Sequence, residues 1–582
     1  MRQLSALDAQ FLHAESATTA AHLAGVAILD AARSPGGAVT RDDVIRLLRE
    51  RLHLVPALRL RLAEVPFGLD RPYWTEAAGL DVADHVHEVV LPLPGDESQL
   101  ADEITRIHER RLDRSRPLWE MHLIQGLSGG RAALYTKVHH CAVDGMSGAE
   151  ILACLLDLTS EIRPVPAPEP PGPPPPAPDP AEMLAVAVAR SVSHPARALR
   201  SLGRLAADLD AIPLLGALPA ARTVAAAARL IIGGDAGLPE MPPLVAPPTP
   251  FNGPISARRR FSYGALPLSE VKRVARTFGL SVNDVVMTLC ASALRSWLRE
   301  RDVLPAEPLV AAVPVAVRTA GARGGAEAGA GVGVGNRLSA MIAPLATDVA
   351  CPLERLRVTG EAMRRAKRRF AAAPATWLDE LSAVLPAPVT AVATPAVFRL
   401  ASIVLPPINL IVSNVPGPQF PLYLCGARVL GYYPISVLTD MTGGVNITCF
   451  SYDGSLGFGV LACPDRVADV WRLMGHLQEA MDELAELAGT ADTHPAPPAA
   501  PVAVADPPVA VADTVAVADT VADADTVADA DTDTDAAPSV TVADPVTVPA
   551  APAAADPAPD PVAAPDTATA PIPVTVAVPT PA

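Results

Sequence analysis

Apolar and polar positions alternate with two different periods along this 582-residue chain, and the switches between periods mark its elements. Around Ala132–His140, Leu134, Thr136 and Val138 alternate with Ala133, Tyr135 and Lys137, the two-residue period of a strand. Val86–Leu91 reads as another strand and Ser98–Leu112 as a helix. A tight Asp144-Gly145 turn predicts that Met146–Leu158 follows as a helix. A Pro-dense stretch from Pro164 to Pro180 excludes regular helix and central strand. Beyond it Ala181–Gly233 is helical in character, with Leu199, Leu202, Leu205 and Leu209 at helical spacing and a basic stripe of Arg197, Arg200 and Arg204. Such a helix is read first as a connector packed on the body and second as a membrane-surface element.

From Pro250 a second mixed region begins. Leu266–Phe278, Asn283–Arg299 and Trp471–Leu487 predict helices, and Leu309–Val317 and Ile408–Ser413 predict strands. Gly444–Tyr452 and Ser455–Cys463 flank Asp453-Gly454, a strong hairpin signal. Thr319–Gly335 is a Gly/Ala loop. Four regions result: residues 1–160, a linker over 161–249, a second lobe over 250–489 and a tail over 490–582. The tail is built from Ala, Val, Asp, Pro and Thr, buries too little apolar area to offset its ordering entropy, and is expected to be disordered.

Charge changes this picture little. The net charge of -17 is concentrated in the tail, which from Ala491 holds 14 Asp and no Lys, Arg or Glu. The rest carries 46 basic against 49 acidic residues and is nearly neutral. No basic domain with interleaved aromatics is present, so nucleic acid is not an expected partner. The 7 cysteines are scattered without close pairs, a reduced, cytosolic pattern. No signal peptide is read in the first thirty residues, and the most apolar stretch, Leu385–Val415, is broken by prolines and Arg399.

The sharpest local feature is Lys137-Val138-His139-His140-Cys141-Ala142-Val143-Asp144-Gly145, which fits HHxxxDG. If the strand alternation continues, the two imidazoles point to opposite sides, so only one faces a reaction channel. A neutral imidazole can take a proton from a hydroxyl and return it. On the pattern alone, catalysis and a structural role for this pair stay evenly matched. Adjacent histidines lack the same-face spacing of helical zinc motifs, and no metal site is expected. Gly126-Leu127-Ser128-Gly129-Gly130 matches G-x-S-x-G, but a strand rather than a helix follows, so a loop between two strands is the better reading.

Together with further motifs in the same order, HHxxxDG resembles the bacterial wax ester synthase/diacylglycerol acyltransferase family. Leu4-Ser5-Ala6-Leu7-Asp8-Ala9 with Ala14-Glu15-Ser16 is similar to its N-terminal signature. Arg116-Pro117-Leu118-Trp119-Glu120 is similar to its PLW element and Asn283-Asp284-Val285-Val286 to its ND element. Phe251-Asn252-Gly253-Pro254-Ile255 and Ser413-Asn414-Val415-Pro416-Gly417-Pro418 complete the series, which spans residues 1 to about 488 apart from the Pro-rich linker.

The resemblance implies a two-lobed fold similar to chloramphenicol acetyltransferase, so that with the helical connector and disordered tail read from composition the chain is α/β (α+β); the tail has no counterpart in the family. It implies acyl-CoA as donor substrate, diacylglycerol or a long-chain alcohol as acceptor, and no bound cofactor. It implies a cytoplasmic protein that meets the plasma membrane or lipid inclusions peripherally. Carried over, His140 is the general base, with His139 supporting. Asp144 pairs with an arginine away from substrate, for which Arg318 is the candidate, and Gly145 permits the turn. Asn283 is a candidate oxyanion donor, although Ser281 and Asn283 also suit a helix N-cap. Asp284 is expected to favour the helix N-terminus. For Pro117, Leu118 and Trp119 core packing is the first expectation, and for Asn414–Pro418 a turn. Two competing readings are a condensation-type acyltransferase fed by a carrier protein and a non-catalytic protein coating lipid inclusions.

Overall fold

The computed structural model describes residues 2–34, 36–143, 151–152, 154–166, 179–191, 245–316, 338–372, 382, 386–404 and 406–493. Among the described residues its helices include α1 (Ala6–Ala14), α2 (Arg41–Arg51), α3 (Glu97–His108), α4 (Leu268–Thr277), α5 (Val282–Arg299), α6 (Pro352–Ala372), α7 (Ala387–Val404) and α8 (Val470–Thr493). Four of them start where a short polar side chain satisfies amides that helix geometry leaves unpaired. Ser5, Thr40, Asp96 and Ser281 each accept the amide three residues on, and Asp8, Asp43, Gln99 and Asp284 return a bond to the cap.

The strands are β1 (Arg2–Gln3), β2 (His22–Leu29), β3 (Leu60–Ala63), β4 (Tyr73–Glu76), β5 (Val86–Val90), β6 (Trp119–Leu127), β7 (Arg131–His139), β8 (Arg260–Pro267), β9 (Leu309–Ala316), β10 (Leu338–Leu345), β11 (Leu410–Val415), β12 (Tyr423–Leu424), β13 (Ala427–Ile435), β14 (Val445–Tyr452) and β15 (Ser455–Ala462). They form two six-stranded sheets, ordered β12-β13-β2-β7-β6-β5 and β10-β9-β11-β14-β15-β8, and a small sheet β1-β4-β3. The expected two-lobed mixed architecture is therefore present. Strands and helices fall close to their predicted places, but the helix expected to Leu112 ends at His108, the one expected to Leu158 gives way at Leu156 to a bridge between Asp157 and Tyr423, and a third boundary shifts in the second half. Leu266, expected to open a helix, ends a strand, because Pro267 sits at the N-cap of α4 and the chain is extended up to it.

A division at residue 250 does not hold throughout. β13 pairs antiparallel with β2, so a segment of the second half of the chain completes the first sheet. The crossing strand also lies against β15 of the second sheet. A Cβ on Gly457 would stand 2.3 Å from the Tyr432 carbonyl oxygen, and one on Gly459 1.9 Å from that of Pro434. Only glycine lets the two backbones approach so closely. The predicted hairpin is confirmed at Asp453-Gly454, where φ is 44° and 77° and the strands pair from Tyr452↔Ser455 onward.

The second sheet carries α4, α5 and α8 on one apolar face, where Val285, Leu289, Leu294, Val412, Ile447, Phe458 and Leu477 pack together. The first sheet is covered on both faces. Leu100, Ile104 and Ile107 of α3 meet Val26, Ile124 and Tyr135 on one side. Leu12 of α1 and Leu48 of α2 meet Leu29, Leu123 and Leu134 on the other. A buried ion pair ties the crossover to this face. Arg51 donates to Asp157 at 2.7 and 2.9 Å, while the Asp157 backbone exchanges two hydrogen bonds with Tyr423.

Residues 180–191 of the linker are helical and pack on the first lobe, with Met183 and Ala187 buried against Val65. This agrees with the connector reading for that portion; Arg197, Arg200 and Arg204 lie outside the described residues. Helix α8 runs to Thr493, past the expected end of the second lobe at 489. The remainder of the tail and the Gly/Ala loop lie outside the described residues.

Candidate active site

β2 and β7 pair with His22 opposite His139, and β7 ends there. The next amide, of His140, donates to the Ala21 carbonyl at 2.8 Å, and the Ala142 amide turns back to the His139 carbonyl at 3.0 Å. The two imidazoles part at this turn, as the alternation predicts. The His139 Nδ1 accepts the Cys141 amide at 3.1 Å, so the ring proton of the neutral form resides on Nε2. That nitrogen faces Glu15 Oε1 at 3.4 Å, an electrostatic contact rather than an aligned hydrogen bond. His140 instead lies flat against Phe11 of α1, ring centroids 3.8 Å apart and planes 6° from parallel, and is 7% exposed.

Glu15 follows α1 directly and collects the charges beneath the dyad. Arg114 donates to its Oε2 at 2.7 and 3.2 Å and to the Leu12 carbonyl at 2.8 Å. Burial pushes the Glu15 carboxyl up, but His139 and then Arg114 outweigh it and hold the group down at about 2. Deeper in the sheet, burial lowers the pKa of His22 and brings that of His108 to about 3, with Lys137 adding in the same direction. The floor under His139 is thus a fixed anion flanked by neutral rings.

Sequence reasoning singled out neither Phe11 nor Arg114 for a role, and quoted Glu15 only as part of a motif. No local spacing links residue 15 to residue 139; the sheet brings them together. Lys137, by contrast, is structural. It donates to the Ile107 and Arg110 carbonyls at 3.2 and 2.9 Å at the end of α3 and pairs with Glu120 at 3.1 Å. His87, Glu120 and His122 bring ligand atoms within 4.8 Å of one another, a cluster the sequence did not reveal. Its carboxylate already has the Lys137 ammonium as counter-ion.

Of the other expected site residues, Asp144, Gly145 and Arg318 lie outside the described residues. Ser281, not Asn283, caps α5, and Asp284 closes the capping box, accepting the Ser281 amide at 3.1 Å. Asn283 is left half-buried in the first turn, its Oδ1 accepting Asn414 Nδ2 at 3.3 Å. The ND element therefore meets Asn414, which with Val415 ends strand β11 rather than forming the expected turn; only Pro416–Pro418 lie beyond the strand. Trp119 and Leu118 are buried, and the indole donates to the Leu58 carbonyl at 2.7 Å, in line with core packing. Gly126 and Leu127 end β6, and Ser128–Gly130 form the short connection to β7, with no α-helix after the serine.

An apolar cavity of about 340 Å³ opens between residues 152–163 and the crossover. Its lining includes Leu156, Leu422, Val429, Phe450 and Tyr452 but not His140. Cys141, Ala142 and Val143, which follow His140 in the chain, join the same apolar cluster as those five side chains.

The sheet thus sets a buried histidine pair at the end of β7 in a two-lobed fold, and comparison with known proteins gives the class of the chain. Residues 4–286 match the wax ester synthase/diacylglycerol acyltransferase catalytic domain and residues 334–485 the C-terminal domain of the same proteins. A Mycobacterium tuberculosis (strain CDC 1551 / Oshkosh) protein named as a putative diacylglycerol O-acyltransferase is 34% identical over 489 residues, covering 84% of this chain and 90% of its own. A second of the same description is 33% identical over 488 residues, covering 84% of this chain and 100% of its own. Among solved structures, the wax ester synthase/diacylglycerol acyltransferase from Marinobacter aquaeolei VT8 superposes with a TM-score of 0.58 at 28% identity, covering 84% of this chain and 100% of that one. The chain belongs to the wax ester synthase/diacylglycerol acyltransferase family, and it is an acyltransferase.

Proposed function

We propose that the chain moves a long-chain acyl group from acyl-CoA to the hydroxyl of diacylglycerol, with a long-chain alcohol as second acceptor and His140 as general base. His140 Nε2 or Nδ1 takes the hydroxyl proton as the oxygen attacks the thioester carbonyl carbon. The tetrahedral intermediate collapses with cleavage of the C–S bond, and the departing thiolate recovers the proton from the imidazolium. Positioned proton transfer of this kind contributes about 100- to 10,000-fold. The observation that carries the reading is the division of labour in the dyad: His139 accepts the Cys141 amide and faces Glu15, while His140 parts from it at the end of β7 and lays its ring flat on Phe11.

Diacylglycerol comes first because the relatives at 34% and 33% identity bear that activity in their names. The cavity walled by Leu156, Leu422 and Phe450 supports an apolar chain as part of the substrate. Asn283 serves the reaction as a donor to the developing oxyanion, positioned through its bond to Asn414. No cofactor takes part, since proton transfer and acyl exchange need only the side chain and the thioester. The protein works in the cytoplasm and meets its acceptor at a membrane or inclusion surface.

The test is CoA-thiol release from palmitoyl-CoA with diacylglycerol and hexadecanol offered separately, comparing the native chain with His140→Ala. Loss of release by at least 100-fold in the variant is expected. Equal rates in the two proteins would remove His140 from the mechanism.

A further inference from the structure

Helix α7 is turned inside out relative to an ordinary surface helix. Its polar side chains Thr390, Thr394 and Ser402 are buried, whereas Val389, Val392, Val397, Leu400 and Ile403 are exposed, Val392 to 78% and Leu400 to 63%. Val389, Val392, Ala396, Leu400 and Ile403 follow i, i+3, i+7, i+11 and i+14, so they share one face. A helix in water turns that stripe inward; this one turns its hydroxyls inward and gives them partners. Thr390 Oγ1 donates to the Pro386 carbonyl at 2.9 Å, Thr394 Oγ1 to Gln10 Oε1 at 2.9 Å and Ser402 Oγ to the Arg399 carbonyl at 2.8 Å. The first and last of these stay within the helix's own turns, and the Thr394–Gln10 bond ties the buried polar face to α1. Over its 18 residues α7 carries no Asp or Glu and a single cation, Arg399. It is too short an apolar helix to cross a membrane.

The preceding described helix supplies charge. Arg364, Arg365, Lys367, Arg368 and Arg369 crowd the last two turns of α6, with Arg364, Arg365 and Arg368 exposed. An exposed aliphatic face together with a group of four to eight cations is the pair of signals that anionic lipid surfaces retain. We propose that α7 lies in the interface of an anionic phospholipid surface, its Val392–Leu400–Ile403 face among the acyl chains, with the basic end of α6 adding electrostatic attraction. This rests on the reading that the acceptor is a water-insoluble lipid. It also fixes where the lipid meets the chain, because α7 packs on α1 through Thr394 and Gln10, and the residue after Gln10 is Phe11, the side chain stacked on His140.

Co-sedimentation of the full chain with vesicles of phosphatidylcholine containing phosphatidylglycerol tests it without turnover. Native protein is expected to sediment, more weakly as salt is raised, and a Val392→Glu/Leu400→Glu double variant at least tenfold more weakly than native. Both positions are exposed, so the melting temperature should stay near the native one. As a second measurement, Val392→Trp should shift its emission to shorter wavelength on adding the same vesicles. Native-like sedimentation of the double variant, no sedimentation of the native chain, or unchanged emission of the tryptophan would each overturn the docking face. None of these bears on whether His140 releases thiol from palmitoyl-CoA, so the two readings fail separately.

Discussion

Phe11 and His140 lie face to face, centroids 3.8 Å apart and planes 6° from parallel, across 129 residues of chain. The contact fixes the plane of the imidazole, and with it the direction in which either ring nitrogen reaches a hydroxyl. Displacements near 1 Å at a reacting group cost about 100-fold in rate. Phe11→Leu, which keeps an apolar side chain but not the flat ring, is expected to lower kcat about tenfold with the KM for acyl-CoA little changed. Phe11→Tyr should restore most of the rate. Native kcat in Phe11→Leu would show that the stacking is packing alone.

Glu15 leads to a pH prediction. Its folded pKa, about 2, lies below the ordinary 4.5, so its contribution to stability is complete above about pH 4.5 and is lost as the pH falls through about 2. Its side chain is 3% exposed, so solvent screening discounts little. A shift of this size corresponds to roughly 3 kcal/mol. Glu15→Gln should be less stable than the native chain by about that much at pH 7, with the gap closing between pH 4.5 and 2. Urea melts across that range measure it, and a gap independent of pH would contradict the carboxylate's role.

The Arg51–Asp157 pair is buried to 0% and 2% exposure. Arg51→Ala leaves the buried carboxylate with only the half-exposed Arg163, whose guanidinium is 3.8 Å away and whose amide donates at 3.3 Å, and should cost about 3 kcal/mol in denaturant melts. Asp157 also holds the Tyr423 backbone, so the loss should be accompanied by faster amide exchange at Tyr423. Stability within 1 kcal/mol of native would count against the pair as the tie between lobe and crossover.

At Gly417, two residues beyond the end of β11, a Cβ would sit 2.3 Å from the Phe450 ring and 2.3 Å from the Ser451 carbonyl oxygen. Gly417→Ala should therefore destabilise by about 1–3 kcal/mol. Adding Phe450→Leu should recover only part of that loss, because the carbonyl does not move aside. Full recovery would assign the constraint to the ring alone.

What could be read in the sequence is what short-range rules govern. The capping box at Ser281, the hairpin at Asp453-Gly454 and the alternation through Val138 all depend on residues a few positions apart. The same alternation correctly separated His139 from His140. What could not be read is what depends on distant partners. β13 has no local mark of its destination: its exposure alternates until a register shift between Val429 and Gly431, and its partner β2 lies in the other half of the chain. Glu15 and Phe11 were hidden for the same reason, since each acquires its role only when α1 is laid against the end of β7. Asn283 shows the intermediate case. Its place at a helix start was legible, but Ser281 took the cap and left Asn283 to Asn414.

The crossover has a consequence for biosynthesis. β2 leaves the ribosome about 400 residues ahead of β13, its outer neighbour in the finished sheet. At bacterial or eukaryotic translation speeds that is roughly 20 to 80 s during which the edge of β2 offers open amides and carbonyls to any extended peptide. A nascent chain of this kind is exposed to mispairing for most of its synthesis, and slowing elongation should reduce its soluble yield more than it would for a chain whose neighbouring strands emerge in succession.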